Sequence, residues 1–132
     1  MQPTYFPWAG FFNLISQAES FIFLDDAQFS KNSWHNRNQL LSNNKRIWLT
    51  IPIKKNKLNT KIIDIQIDNS KNWKQKHIKT ISQIYRKHKY YDDLDEILSF
   101  LIKSNFDNLG SLNIDLIKLI CKKLNLKTNF YN

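Results

Sequence analysis

Hydrophobic and polar positions follow two different periods along the chain, which predicts a mixture of helices and strands. Apolar residues at helical spacing predict a short helix over 9–17. The continuous apolar run Phe21–Leu24 then predicts a buried strand that ends abruptly at Asp25. Alternation with a period of two predicts further strands over 47–53 and 63–67, which we expect to form an antiparallel pair.

The second half of the chain is dominated by apolar residues at helical spacing. Three helices and the start of a last strand are predicted over 73–85, 94–101, 112–124 and 126–130. The order of elements predicts an α/β fold: a small Rossmann-like mixed sheet with flanking helices and a helical carboxyl-terminal part. We expect a single domain over 1–132, with its α/β portion at about 1–70 and its helical portion at about 71–125.

Composition supports a folded chain, because 42% of the residues are hydrophobic and only two are glycine. The net charge of +9 is concentrated in residues 41–90, which contain thirteen basic and two acidic residues. Such a Lys-rich segment is most often a solvated surface. The alternative is a basic module in which Lys54–Lys61 and Lys71–Lys89 bind phosphate backbones, so nucleic acid is a possible but less favoured partner.

No segment has the roughly 20 consecutive apolar residues that cross a bilayer, so we expect no membrane span. The single cysteine, Cys121, cannot form an intrachain disulfide and lies on the apolar stripe of a predicted helix. The sequence also opens without a secretory signal pattern. These features favour a cytoplasmic protein, and they leave its oligomeric state open.

Polar side chains concentrate in residues 25–38, directly after the predicted buried strand. Ligands of open α/β sheets bind at the carboxyl ends of strands, so this cluster is the best candidate site. Asp25 and Asp26 can accept hydrogen bonds from sugar hydroxyls, bind a metal, or supply a general base if burial raises one pKa. The alternative is that they only cap the turn after the strand.

The segment 34–38 combines an indole, an imidazole, a guanidinium and two amides. This set suits stacking on a ring and bidentate binding of phosphate or carboxylate by Arg37. The alternative is that Arg37 braces the loop against Asp25 or Asp26. Trp8 and Trp34 are the tryptophans that we favour as stacking platforms for a sugar or base.

Other kinds of site are not indicated. His35, His77 and His88 lack the spacing of a zinc site, so no metal is predicted. Cys121 is expected to be a core residue, since no base accompanies it. Motifs of glycine-rich phosphate loops and of serine hydrolases are absent, and the sequence indicates no particular cofactor.

Three ordered blocks of the sequence resemble the opening half of WbqC-like proteins. They are Gln-Pro-Thr-Tyr-Phe-Pro-Trp-Ala-Gly-Phe-Phe at 2–12, Phe-Leu-Asp-Asp-Ala-Gln-Phe at 23–29 and Trp-His-Asn-Arg-Asn at 34–38. Weaker similarity continues through 48–53, 73–77 and 85–91. WbqC-like proteins usually begin with a short apolar strand before the Gln-Pro pair and extend further at the carboxyl end, so we expect this chain to correspond to their amino-terminal portion.

The resemblance implies an enzyme of surface-polysaccharide (O-antigen) biosynthesis that acts on a sugar or nucleotide-sugar, with aminoacyl or acyl transfer to an amino sugar as its reaction. The catalytic candidates are Asp25, Asp26, Lys31 and His35. The substrate-binding candidates are Gln2, Tyr5, Trp8, Gln28, Trp34, Asn36, Arg37 and Asn38. A third interpretation is a truncated, non-catalytic interaction domain.

Overall fold

A computed structural model describes all residues from 1 to 132 and shows an α/β protein. In chain order its helices and strands are α1 (Ala9–Ser16), β1 (Ser20–Ile22), β2 (Arg37–Ser42), β3 (Lys45–Thr50), α2 (Trp73–Tyr85), α3 (Asp95–Lys103), α4 (Leu109–Lys123) and β4 (Asn129–Tyr131). Short 3₁₀ helices occupy Ile62–Asp64 and Asp92–Leu94. The α/β prediction and the four predicted helices are therefore confirmed.

The four strands form two separate two-stranded sheets. β1 pairs in parallel with β4, and β2 pairs antiparallel with β3. Because the strands do not join into one mixed sheet, the Rossmann-like arrangement is not confirmed. Phe21 and Phe23 are buried, whereas Ile22 and Leu24 are 56% and 49% exposed, so the run 21–24 is covered on one face only and the prediction of a buried strand holds for that face alone.

The β2–β3 hairpin replaces the predicted pairing of 47–53 with 63–67. Its two-residue turn is Asn43–Asn44, and both residues have positive φ, at 48° and 60°. This is the backbone that a type I′ turn requires, and Asn tolerates it better than most residues. Between the predicted partners only an isolated bridge remains, joining Ile53 to Ile67.

Helix α4 joins two hydrophobic clusters. Leu112 and Leu116 pack in the larger cluster, which also contains Leu49 of β3 and Ile51, the residue that follows β3. Ile117 and Cys121 pack in the smaller cluster with α1, β1 and β4. Cys121 is thus a core residue as predicted, and burial raises the pKa of its thiol to about 11.

Charged side chains are almost all unpaired. The only ion pair joins Lys123 Nζ to Glu96 Oε2 at 2.8 Å, in a chain with 20 basic and 11 acidic residues. None of the four helices has the length and apolar character that crossing a membrane requires.

Candidate functional site

An open cleft of about 720 Å³ lies beside the hairpin, and we call it the aromatic cleft. Its walls come from residues 6–8, from β2 and β3, from α2, from residues 88–91 and from Leu94. Five Phe, Trp and Tyr residues line it, together with the basic residues His88 and Lys89; the five are Phe6, Trp8, Tyr85, Tyr90 and Tyr91. No carboxylate lines the cleft, so its electrostatic character is apolar to cationic.

Asn38 connects the hairpin to the segment that carries Trp8. Its Nδ2 donates hydrogen bonds to the carbonyls of Tyr5, at 3.2 Å, and of Phe6. Phe6 has a φ of 46°, a left-handed backbone that costs a residue with a bulky side chain about 1–3 kcal/mol. The Asn38 amide therefore holds a strained turn at the mouth of the aromatic cleft.

Trp8 lies directly before α1 and is 68% exposed. Its ring covers Gly10 so closely that a Cβ at position 10 would come within 1.7 Å of it. Residue 10 must therefore be glycine if the indole is to keep this position.

A second, smaller cleft of about 260 Å³ adjoins the aromatic cleft, and we call it the indole slot. Thr4, Pro7, Trp8, Trp34 and Asn38 line it. Pro7, Trp8 and Asn38 line both clefts, which makes them neighbours. Three of the predicted substrate-binding residues, Trp8, Trp34 and Asn38, are thus brought together in one place.

The structure also brings together His35 and Gln2. His35 Nδ1 accepts a hydrogen bond from the Ser30 N–H at 3.4 Å, so its Nε2–H donates to Gln2 Oε1 at 3.0 Å. The Asn113 amide donates to the His35 carbonyl at 2.7 Å. The ring is 5% exposed, and burial lowers the pKa of His35, which keeps its imidazole neutral.

Tyr5 and Asn36 point into the protein. Tyr5 is fully buried, and its hydroxyl donates to His77 Nδ1 at 2.9 Å. Burial raises the pKa of Tyr5 above its ordinary value. Asn36 is also buried, with its Nδ2 donating to the Ile51 carbonyl at 3.0 Å. Neither residue lines the aromatic cleft or the indole slot.

Arg37 lies on the opposite face of the hairpin from Asn38, since neighbouring residues of a strand alternate. Its Cζ is 4.1 Å from the centroid of the Trp48 ring, and the ring centroids of Trp48 and Trp34 are 5.9 Å apart. The idea that Arg37 braces the loop against the two aspartates was wrong, because the guanidinium makes no ion pair with either one.

Asp25 and Asp26 occupy the turn after β1. The Asp25 carbonyl accepts a hydrogen bond from the Ile63 N–H at 2.9 Å. Neither carboxylate lines the aromatic cleft or the indole slot. No group of three His, Cys, Asp or Glu side chains that could hold a metal ion occurs in the structure.

Gln28 and Lys31 line a third cleft, of about 430 Å³, that we call the lysine cleft. Lys54, Lys55 and Lys57 line it as well. Of the twelve predicted site residues, the structure therefore places three in the indole slot and two in the lysine cleft, and it leaves the aspartates apart from both.

The sequence analysis missed the far wall of the aromatic cleft, formed by Tyr85 and residues 88–91. A usable signal was present, because three tyrosines and a histidine fall within seven residues at the predicted end of a helix. Clustered aromatic side chains at an exposed helix end often mark a binding surface.

Comparison with known proteins relates nearly the whole chain to one family. The model of the WbqC-like protein family matches residues 2–132. The chain is also 30% identical over 134 residues to Rv1507c, an uncharacterized protein of Mycobacterium tuberculosis. That match covers 100% of this chain and 58% of the relative, so the chain spans a little over half of the curated relative's length. No solved structure matches it. The chain belongs to the WbqC-like protein family.

Proposed function

We propose that this chain binds a sugar or nucleotide-sugar in the indole slot and the aromatic cleft, as part of a transferase of surface-polysaccharide biosynthesis. One observation carries the proposal: Trp8 presents a 68% exposed indole where two adjoining clefts meet, with the Asn38 amide beside it. Membership of the WbqC-like family supports the proposed role in polysaccharide biosynthesis, because the resemblance to that family implies such a role.

The chemistry of the clefts fits such a ligand. The C–H face of a sugar ring packs on an indole, and Asn38 Oδ1, which accepts one hydrogen bond from the Gln39 N–H, has a second lone pair that can accept from a sugar hydroxyl. Trp8 and Trp34 both line the slot, which therefore offers two indoles to one ring. A nucleobase stacks on aromatic side chains of the larger cleft, while His88 and Lys89 supply donors for phosphate oxygens.

Transfer of an aminoacyl or acyl group to an amino sugar needs a base that takes a proton from the attacking amine. None of Asp25, Asp26, Lys31 and His35 lines the aromatic cleft or the indole slot, and the buried His35 ring has both nitrogens hydrogen-bonded, so we name no base among them. The chain spans 58% of the relative, so the reaction is proposed for the whole protein, as is its location in the cytoplasm.

Calorimetric titration of the full chain with a UDP-sugar and with free UDP tests the proposal. We expect Trp8→Ala to raise the Kd for the UDP-sugar about tenfold, as loss of one stacking platform usually does. Tyr131→Ala is the control, because it removes another exposed aromatic ring that lines none of the three clefts. Equal affinities for the wild type and Trp8→Ala would contradict the proposal.

A further inference from the structure

The lysine cleft forms where the loop 54–59 folds back against the segment after β1. Main-chain hydrogen bonds fix the loop at both ends. The Lys54 N–H donates to the Gln66 carbonyl at 2.9 Å, and the Phe29 N–H donates to the Thr60 carbonyl at 2.8 Å. The wall that carries the lysines is therefore anchored to the fold.

Side chains also fix the shape of the loop. Gln28 Nε2 donates to Asn59 Oδ1 at 2.9 Å, which ties the two walls of the cleft together. Thr60 Oγ1 donates to the Lys57 carbonyl at 2.7 Å. Asn59 adopts a φ of 64°, a left-handed backbone that closes the turn. The concave form therefore results from specific contacts.

Four lysines line this cleft, and no acidic residue does; the lysines are Lys31, Lys54, Lys55 and Lys57. None of the four takes part in an ion pair. Phe29, which is buried, also lines the cleft and contributes apolar surface to it. Like charges in such a concavity focus a positive potential on an anion.

Lys54 interacts with an acidic residue outside the cleft, because its positive charge helps to lower the pKa of Asp68. A hydrogen bond from the Ser70 hydroxyl is the main cause of the lowered pKa of Asp68, and the charges of Lys71 and Lys54 contribute less. Lys54 is thus partly balanced by Asp68. Lys31, Lys55 and Lys57 remain as the uncompensated cations of the cleft.

We infer that the lysine cleft binds a compact, multiply charged phosphate group, either free phosphate or diphosphate or the phosphate of a larger ligand. Several ammonium groups around one concavity suit an anion of high charge density, since Lys acts on phosphate as a point charge. An extended nucleic-acid surface is less favoured, because the lysines of α2 do not line this cleft. The inference does not depend on the proposed function.

Calorimetric titration of the full chain with inorganic diphosphate at low ionic strength tests the inference. We expect the double variant K55Q/K57Q to raise the Kd at least about tenfold, because hydrogen bonds between charged partners are lost. The matched control is K76Q/K79Q on the exposed side of α2, which removes the same charge and should change the Kd less than about twofold. Circular dichroism of both variants verifies that they fold.

Three results would overturn the inference. The first is absence of diphosphate binding to the wild-type chain. The second is equal weakening by both double variants, which would reveal a response to net charge alone. The third is displacement of diphosphate by a single-stranded DNA oligonucleotide whose affinity both double variants weaken equally, as an extended nucleic-acid surface would require. Trp8→Ala should leave diphosphate binding unchanged, which separates this test from that of the sugar site.

Discussion

Two polar side chains that hold the turn beside the aromatic cleft, those of Asn38 and Tyr5, form hydrogen bonds to groups far away along the chain. Asn38 reaches the carbonyls of Tyr5 and Phe6, more than 30 positions earlier. Tyr5 in turn bonds to His77, 72 positions later. These bonds fix the turn that presents Trp8, so the exposed indole depends on residues that a ligand need not touch.

We expect Asn38→Ala to lower the free energy of unfolding by about 1–3 kcal/mol, because two carbonyls lose their donor and the strained Phe6 loses its restraint. The same variant should weaken binding of a UDP-sugar. Urea unfolding and calorimetry measure the two effects. Asn56→Ala is a suitable control, since the Asn56 amide makes only a local bond to the Lys57 carbonyl. Unchanged stability in Asn38→Ala would show that the turn holds without its clamp.

The buried imidazole of His77 makes stability depend on pH. Burial lowers the pKa of His77 to about 4, although a hydrogen bond with the Thr50 backbone opposes the shift. Because the unfolded value is near 6.5, the unfolded chain takes up the proton first as the pH falls. The contribution is complete above pH 6.5 and is lost as the pH falls towards 4.

Over that interval we expect the free energy of unfolding to drop by about 3 kcal/mol through this one group. His77→Gln should be less stable at neutral pH, since the bond from the Tyr5 hydroxyl changes. It should also show a flatter pH dependence between 6.5 and 4. Urea denaturation at several pH values measures the slope, and parallel slopes for the two proteins would refute the assignment to His77.

The β2–β3 hairpin sets the position of the cleft wall, and its turn sets the pairing. With Asn43 and Asn44 at the turn, Asn38 lies opposite Leu49 and Leu40 opposite Ile47. A shift by one residue would turn Asn38 away from the Tyr5 and Phe6 carbonyls. The turn therefore controls which side chains reach the cleft.

Asn44→Gly should stabilise the protein by about 0.5–1 kcal/mol, because Asn-Gly is the preferred pair for a type I′ turn and glycine has no strain at a φ of 60°. Asn44→Val should be destabilising, since a β-branched residue resists positive φ. Thermal unfolding distinguishes the three proteins. The reverse order of stability would mean that the turn does not have the described backbone.

Helices were the part of the fold that sequence pattern predicted best. Each of them buries a stripe, and Ile97, Leu98 and Leu101 of α3 are an example. β2 was missed because its residues are nearly all half-buried and show no clear alternation. Residues 63 and 64 were wrongly predicted as strand because Ile62 and Ile65 are buried three positions apart while Ile63 is exposed, a spacing that suits a 3₁₀ turn.

Across the molecule, the two sheets explain why the candidate site was only partly predicted. The expectation that a site follows the end of β1 assumed one continuous sheet. β1 pairs only with β4, whereas the aromatic cleft lies against β2 and β3, so Asp25 and Asp26 lie outside it. Trp8, Trp34 and Asn38 were proposed from their chemistry, and the structure brings them together in the indole slot. The cluster that contains Tyr90 and Tyr91 is visible in the sequence, but only folding places it in the same cleft as Trp8.

The lone ion pair between Lys123 and Glu96, in a chain with a net charge of +9, has a consequence for how the protein tolerates salt. Screening has almost no favourable ion pairing to weaken, while it relieves repulsion among many lysines. The thermal midpoint should therefore rise by about 2–5 °C from low to high sodium chloride. Differential scanning calorimetry measures this, and a falling midpoint would contradict it.

Diphosphate binding should respond in the opposite direction, since the same ions compete for the lysine cleft. Added salt would therefore raise the thermal midpoint and lower the fraction of protein that has diphosphate bound. The buffers that stabilise the fold most would be those in which the lysine cleft binds least diphosphate.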